Sequence, residues 1–516
     1  MDMLTIVPSW LLATVIVLSI SCFFIYTLSQ RNPSFALPNP KFPPSPRKLP
    51  IIGNLHQLLG KHRHQILWRL SQKYGPVMLL HFGSKPFLVI SSSTMAKQVF
   101  KTHDHMLCTR SFFQGTKRIT YNYLDIAFSP YDDHWKEMRK ILVTEFLGPK
   151  RARLFNHVTE MEIKDMVHSL SLHPPNTAVN LDNKFLALTN AIVCKVAFGK
   201  SYKEEPFTGA TVKEMINEAT VMLSGSFGDT FPIFGWILDE IGGWNSRLQN
   251  CFGNMDGYFQ SILNEHIDNP AEEMNESEKD FIHALLELCS NKTTSHSCQL
   301  TIDDMKALMM DVFLGGIDST SVTMVWAMSE IVRDSRMMQK LQAEIRSCIG
   351  IKPEVHASDI TKMTYLKMVL KETLRLHPPA PLLIPHECIS HCQIGGYDVF
   401  PGTGILINAW GIGREEGTWR VRPTEFYPER FEDVDVDYVS KHFEMVPFGG
   451  GRRTCPGYNS ALGTIEFTLV NLLYWFDWEV PGGVKNENLN MEEDGSLVVR
   501  KKTPLCLVPI KKNWRN

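Results

Sequence analysis

The ten residues Phe448-Gly449-Gly450-Gly451-Arg452-Arg453-Thr454-Cys455-Pro456-Gly457 put one cysteine at the end of a glycine-rich, doubly cationic turn. A helical stretch from about Tyr458 to Tyr474 is predicted directly after it. Three glycines allow a tight turn and a close approach to a flat cofactor, and they leave backbone N–H groups free to point at a sulfur. Those amides, with a helix N-terminus beyond Cys455, favour the thiolate over the thiol. A thiolate bound to haem iron pushes electron density onto the metal and favours O–O cleavage. Arg453 stands where it could pair with a haem propionate. An anion-binding glycine loop with an incidental cysteine is the competing reading of the loop taken alone.

Four further groups carry possible chemistry. Gly315-Gly316-Ile317-Asp318-Ser319-Thr320 lies inside a long predicted helix, where each glycine costs about 1 kcal/mol against Ala. Either a packing kink or close approach to a cofactor would compensate. Trp135 and Arg139, four apart on a predicted helix, present an indole N–H and a guanidinium on one face, although a core Trp beside a surface Arg has the same pattern. Glu372 and Arg375 stand three apart, which on a solvated face would be an ion pair worth about 0.2–0.5 kcal/mol. Lys136, Arg139, Lys140 and Arg452 could form a basic patch on the cysteine side.

Phe448, Gly451, Arg453, Cys455 and Gly457 stand at the spacing of the haem-binding loop of one superfamily, and the chain resembles a plant microsomal cytochrome P-450 from its proline-rich segment to about residue 508. The resemblance implies haem b with Cys455 as axial ligand, and Phe448, Gly451, Arg453 and Gly457 in contact with the cofactor. It also implies Trp135, Arg139 and His386 at the propionates, His386 standing where many relatives carry Arg. Gly315–Thr320 resembles the oxygen-activation segment, with Asp318, Ser319 and Thr320 as catalytic candidates. Ser319 replaces the usual threonine; it keeps the hydroxyl and loses the methyl group that fixes the rotamer. Glu372 and Arg375, with Arg430 of Phe426-Tyr427-Pro428-Glu429-Arg430-Phe431, are implied to form a buried unit that holds the cysteine loop. The implied reaction inserts one atom of dioxygen into a lipophilic terpenoid, alkaloid or phenolic, with electrons from NADPH arriving through NADPH-cytochrome P-450 reductase. A haem-thiolate isomerase or dehydratase acting on a hydroperoxide, and a non-catalytic membrane-tethered haem or lipid binder, are the alternatives.

The elements that must position these residues are mainly helical. Alternating segments at Val77–Phe82 and Phe87–Ser91 predict a small β-rich subregion, helical periodicity runs from about Met95 to Gly350, and Thr301 with Asp304 predicts a capping box opening a helix to about Val332. Pro378, Pro379 and Pro381 then break the pattern. The loop before Trp135, Ser224 to Pro232, Leu382 to Ile384, and Gly495 to Leu497 are the expected pocket walls. The 516 residues are 44% apolar with a net charge of -2, which supplies no general field for nucleic acid. Eleven scattered cysteines without a CxxC pair predict reduced thiols. An uncharged apolar run from Ile6 to Leu28 predicts a membrane anchor over residues 1–30, a proline-rich linker follows over 31–50, and the catalytic domain occupies 51–516. Arg31, Lys41, Arg47 and Lys48 after the anchor predict a single-pass protein with its body in the cytosol and Asn275 and Asn291 unglycosylated, and the resemblance to microsomal members implies the endoplasmic reticulum membrane.

Overall fold

The computed structural model describes residues 39–513 apart from 201–208, 270–278, 291–299, 435, 440 and 441, together with positions 14, 17, 19 and 21. The expected anchor, apart from those isolated positions, the first part of the linker and both sequons lie outside the described residues. From Lys41 onward the linker is not a free spacer. Asp398 N donates to Lys41 O and Lys41 N to the Asp398 carboxylate, both at 2.8 Å, and Leu79 N donates to Pro44 O at 2.9 Å, so the segment is laid against strands.

The body is mainly helical around one long helix, Ile302–Arg333. Its start is the expected capping box: Thr301 Oγ1 accepts from Asp304 N, and Asp304 Oδ2 accepts from Thr301 N. It stops at Asp334, whose extended backbone leaves the helix and whose carboxylate caps the next one, Ser335–Ile349. The long helix is apolar enough to cross a membrane, yet 72% of its apolar window is buried within the protein. Apolar residues all round a helix mean burial on every side. Met309, Phe313, Ile317 and Met324 meet side chains such as Phe185, Ile192, Tyr258 and Phe259 in the largest core cluster. Replacing the fully buried Phe313 by Ala would cost about 3–5 kcal/mol.

A five-stranded sheet has the order Val77–Phe82, Lys85–Ile90, Gly404–Ile407, His386–Glu387, Thr109–Arg110. Its one parallel pair, Phe87↔Gly404 through Ile90↔Ile407, joins chain ends separated by most of the helices. Gly404 is required there, because a Cβ would lie 2.3 Å from the Phe87 ring. Two small sheets accompany it among the described residues, one of Val179–Asn180, Cys506–Lys511 and Phe476–Glu479, the other a hairpin of Cys392–Ile394 and Tyr397–Val399.

Candidate active site

The cysteine loop is fixed by its own backbone and by one aspartate. Cys455 N donates to Phe448 O at 2.9 Å, and Thr454 closes on Gly451 O through both its N and its hydroxyl. Gly451 has φ +64°, and a Cβ there would lie 2.2 Å from Asp104 Oδ1. That close approach lets Asp104 hold the Arg452 guanidinium at 2.5 Å and its amide at 3.3 Å. The helix Tyr458–Trp475 begins directly after Gly457. Burial pushes the Cys455 thiol up, while the Gly457 amide and the Arg139 charge pull it down. Phe448 is half-buried and packs between Tyr438 and Tyr458.

Cys455 and the Gly315–Gly316 segment line the same cavity of about 980 Å³. Ser319 is half-buried on this wall and donates to Gly315 O at 2.7 Å. Thr320 is buried and also lines the cavity. Asp318 is buried and salt-bridged to Arg500, a partner that sequence reasoning missed. The remaining walls are largely apolar and include Phe113, Phe128, Leu383 and Val498. All four expected pocket segments contribute residues.

Three guanidinium groups gather beside the cysteine loop, Arg110 and Arg453 buried and Arg139 half-buried. Arg453 donates to Cys108 O, Ile126 O and Ser129 O at 2.8, 3.0 and 2.6 Å. Arg110 donates to Ala127 O at 2.9 Å and Ile384 O at 2.7 Å, and Arg139 to Thr454 O at 2.6 Å. Among the described residues no carboxylate forms an ion pair with any of the three. Arg110, Arg139 and Arg453 all line the cavity, and although the buried Asp125 carboxylate attracts Arg110 and Arg453, the hydrogen bonds of all three go to carbonyls, so the wall offers concentrated positive charge. Buried charge calls for a counter-charge, and a planar group with two carboxylates, next to a thiol and under a glycine-bearing helix, fits this donor set.

Two donors expected at the propionates point elsewhere. Trp135 spends its N–H on Ile126 O at 3.0 Å and lies with Arg453 over its ring at 4.3 Å, so it supports Arg453 from behind. His386 lines the cavity, but its Nδ1 donates to Leu107 O at 2.8 Å. Burial, then the charge of Arg110, pushes its pKa well below the usual value, which keeps the ring neutral. Its Nε2 is then an acceptor, which cannot donate to a carboxylate. Arg110, a lone cation in the apolar run Met106–Phe113, is the cation beside it that sequence reasoning missed. The basic patch is also weaker than expected, because Lys136 pairs with Asp133, Lys140 with Glu137 and Arg452 with Asp104.

Glu372, Arg375 and Arg430 meet in the interior. Glu372 receives Arg375 through Nε at 2.6 Å and Nη2 at 2.7 Å, Arg430 Nε at 3.0 Å, and the Tyr427 amide at 2.7 Å. The outward guanidinium nitrogens bond to carbonyls, Pro423 O for Arg375 and Val421 O for Arg430 among them. Every part of this charged unit is satisfied, which is the condition for burying it.

The family profile described as Cytochrome P450 matches residues 43–507. The chain is 58% identical over 512 residues to parthenolide synthase of Tanacetum parthenium, covering 99% of this chain and 100% of that one. It is 48% identical over 513 residues to eupatolide synthase of Helianthus annuus, with 99% of each covered. A solved structure of a zebra fish cytochrome P450 with abiraterone matches with a TM-score of 0.73 at 22% identity, over 88% of this chain and 100% of that one, a likeness of fold.

Proposed function

The chain belongs to the cytochrome P450 family, and on that premise we propose that it is a monooxygenase acting on a terpenoid, with electrons from NADPH delivered by a reductase. The observation that carries this reading is the cavity shared by the Cys455 thiol, the Gly315–Ser319 wall and the guanidinium groups of Arg110, Arg139 and Arg453. The two plant relatives, named as synthases of parthenolide and eupatolide, support the terpenoid class.

Haem bound through Cys455 supplies the oxidising chemistry, and the protein supplies shape, charge and protons. Arg110, Arg139 and Arg453 would hold the cofactor's carboxylates and offset their charge. The Gly457 amide and the helix beyond it share the charge of the Cys455 sulfur. Phe113, Phe128, Leu383 and Val498 exclude water and orient an apolar skeleton by contact alone. Ser319, fixed on Gly315 O, holds a proton at the wall that this skeleton faces.

We place the protein on the cytosolic face of the endoplasmic reticulum, anchored by residues 6–28. The test is reconstitution with reductase and NADPH against a terpenoid library, with a substrate-linked shift of the Soret band as the binding signal. Product formed without NADPH would favour the isomerase or dehydratase alternative. No spectral shift and no NADPH consumption with any member of the library would overturn the proposal.

A further inference from the structure

Away from the cavity, the end of the helix Trp244–Asp268 meets the start of the helix Phe281–Ser290 through three side chains. His266 lies in the last turn of the first helix, Asp280 directly precedes the second, and His283 lies in its first turn. All three are buried, and a nitrogen from each imidazole and an oxygen of the carboxylate lie within 4.8 Å of one another. His266 Nε2 is 2.8 Å from Asp280 Oδ2, and His283 Nδ1 is 2.9 Å from Asp280 Oδ1. The imidazole centroids are 4.7 Å apart. None of the three residues lines the active-site cavity.

The hydrogen bonds leave this centre in need of a cation. His266 Nδ1 is 2.8 Å from Ile262 O, and a carbonyl can only accept, so the ring proton sits on Nδ1. A neutral ring then aims its Nε2 lone pair at the Asp280 carboxylate, which sets two acceptors 2.8 Å apart. Only a positive charge makes that contact favourable, either a second proton on the ring or a metal ion between the two. His283 Nδ1 points into the same centre from a side chain only 9% exposed. It makes no hydrogen bond with any described residue, because its contact with Oδ1 lacks hydrogen-bond geometry.

The surroundings favour the same charge. Asp280 Oδ1 accepts from His283 N at 3.1 Å, which orients the carboxylate. The helix Leu181–Phe198 ends at Gly199, φ +73°, where a Cβ would collide with Asp280 Oδ2 and lie 3.7 Å from His266 Nε2. Glycine therefore lets a helix C-terminus, the end of negative partial charge, approach the centre. Lys200, the next residue and a competing cation, is paired with Glu265.

We propose that His266, Asp280 and His283 form a structural site for one divalent cation, Zn²⁺ by ligand type, which ties the two helices together. Two imidazole nitrogens and one carboxylate oxygen suit Zn²⁺, whereas Ca²⁺ and Mg²⁺ take oxygen ligands. The Ile262 carbonyl is the outer support that fixes the His266 tautomer for binding through Nε2. Bonds of about 2.0–2.1 Å put neighbouring tetrahedral ligands roughly 3.3 Å apart, so the carboxylate withdraws from each imidazole by about 0.4–0.5 Å as the ion enters. Any second proton on His266 leaves at that point, and water fills the fourth position.

Full-length, haem-loaded protein is stripped with EDTA, dialysed against Zn²⁺ and compared with two variants. Asp280→Asn keeps an acceptor for the His283 amide, and His283→Phe keeps the buried volume. The reduced, carbon monoxide-bound spectrum checks that each is folded. The parent should retain one zinc ion per chain that both variants bind at least about tenfold more weakly, the lower end of what losing a ligand's outer support costs. X-ray absorption at the zinc edge should show nitrogen and oxygen neighbours at about 2.0–2.1 Å and no sulfur. Zinc should raise the melting temperature of the parent and leave those of the variants unchanged. No retained zinc, equal zinc in parent and variants, or sulfur neighbours at about 2.3 Å would each overturn the proposal and leave the unit an ion pair bridged by a proton. If one variant does not fold the other decides, and the zinc edge of the parent reports on the ligands without either.

Discussion

Cys455 is where residue type and spacing say most. Cys455→Ser should abolish the absorption band of the reduced, carbon monoxide-bound protein, and a band that persists would remove Cys455 as ligand. The donors around the propionates were less legible, because a hydrogen-bond donor shows its residue type in sequence but not its direction. Trp135 gives its N–H to Ile126 O, and His386 gives its proton to Leu107 O. Arg110→Ala should therefore reduce haem content markedly, whereas His386→Asn, which keeps a donor for Leu107 O, should retain it. Haem-to-protein ratios measured side by side check the pair; equal loss in both would restore His386 to the site. The hydroxyls of Ser319 and Thr320 divide in the same way. Ser319 is fixed on Gly315 O, so Ser319→Ala should divert NADPH toward hydrogen peroxide while leaving the spectrum intact. If only Thr320→Ala uncouples, Thr320 carries the proton.

At the scale of elements, periodicity and capping residues were strong guides. Thr301 and Asp304 mark the start of the long helix, and its end at Asp334 was legible within two residues. What could not be read was the tertiary partner of a helix residue. Glu372 and Arg375 look like an ordinary surface pair until Arg430 and the Tyr427 amide close over them. Glu372→Ala should destabilise by roughly 3–5 kcal/mol, because two buried arginines lose their shared counter-charge. Glu372→Ala/Arg430→Ala should cost little more than the single change, and additive losses in denaturant melts would show the three residues acting separately. A second buried unit joins the helices Trp244–Asp268 and Phe281–Ser290, where Asp280 accepts from His266 Nε2 at 2.8 Å. Burial raises the Asp280 pKa, but His266 and His283 outweigh it and hold it at about 2. A carboxylate pKa below its unfolded value near 3.9 adds stability that is full above that value and lost as pH falls toward 2. In zinc-free protein, Asp280→Asn should flatten the pH dependence of melting across that window, and an unchanged slope would show the unit to be unimportant.

At the scale of the whole molecule, the described surface has its own apolar face. Trp236 is 58% and Ile241 81% exposed, with Phe227, Ile233, Ile237 and Leu238 also exposed in the same segment. Single exposed apolar side chains are ordinary, but a run of them marks a contact surface. Asp239 shows how the segment achieves this: its carboxylate turns inward to accept from Phe227 N and Gly228 N at 3.0 and 2.7 Å, which leaves the apolar side chains outermost. Composition could not reveal this face, since it depends on which side of a short helix, Gly235–Ile241, meets the body. If residues 6–28 anchor the chain and this face rests on the same bilayer, full-length protein should resist carbonate washing, and Asn275 and Asn291 should stay unglycosylated on the cytosolic side. Removing residues 1–38 should make the protein extractable by carbonate but leave part of it on membranes at ordinary pH. Adding Trp236→Glu and Ile241→Glu to that truncation should release the rest, because a charged group at these positions has to stay in water. Fractionation of the three forms separates the two contacts. Full release by truncation alone would show that the apolar face meets something other than lipid, and a glycosidase-sensitive mass shift would reverse the topology.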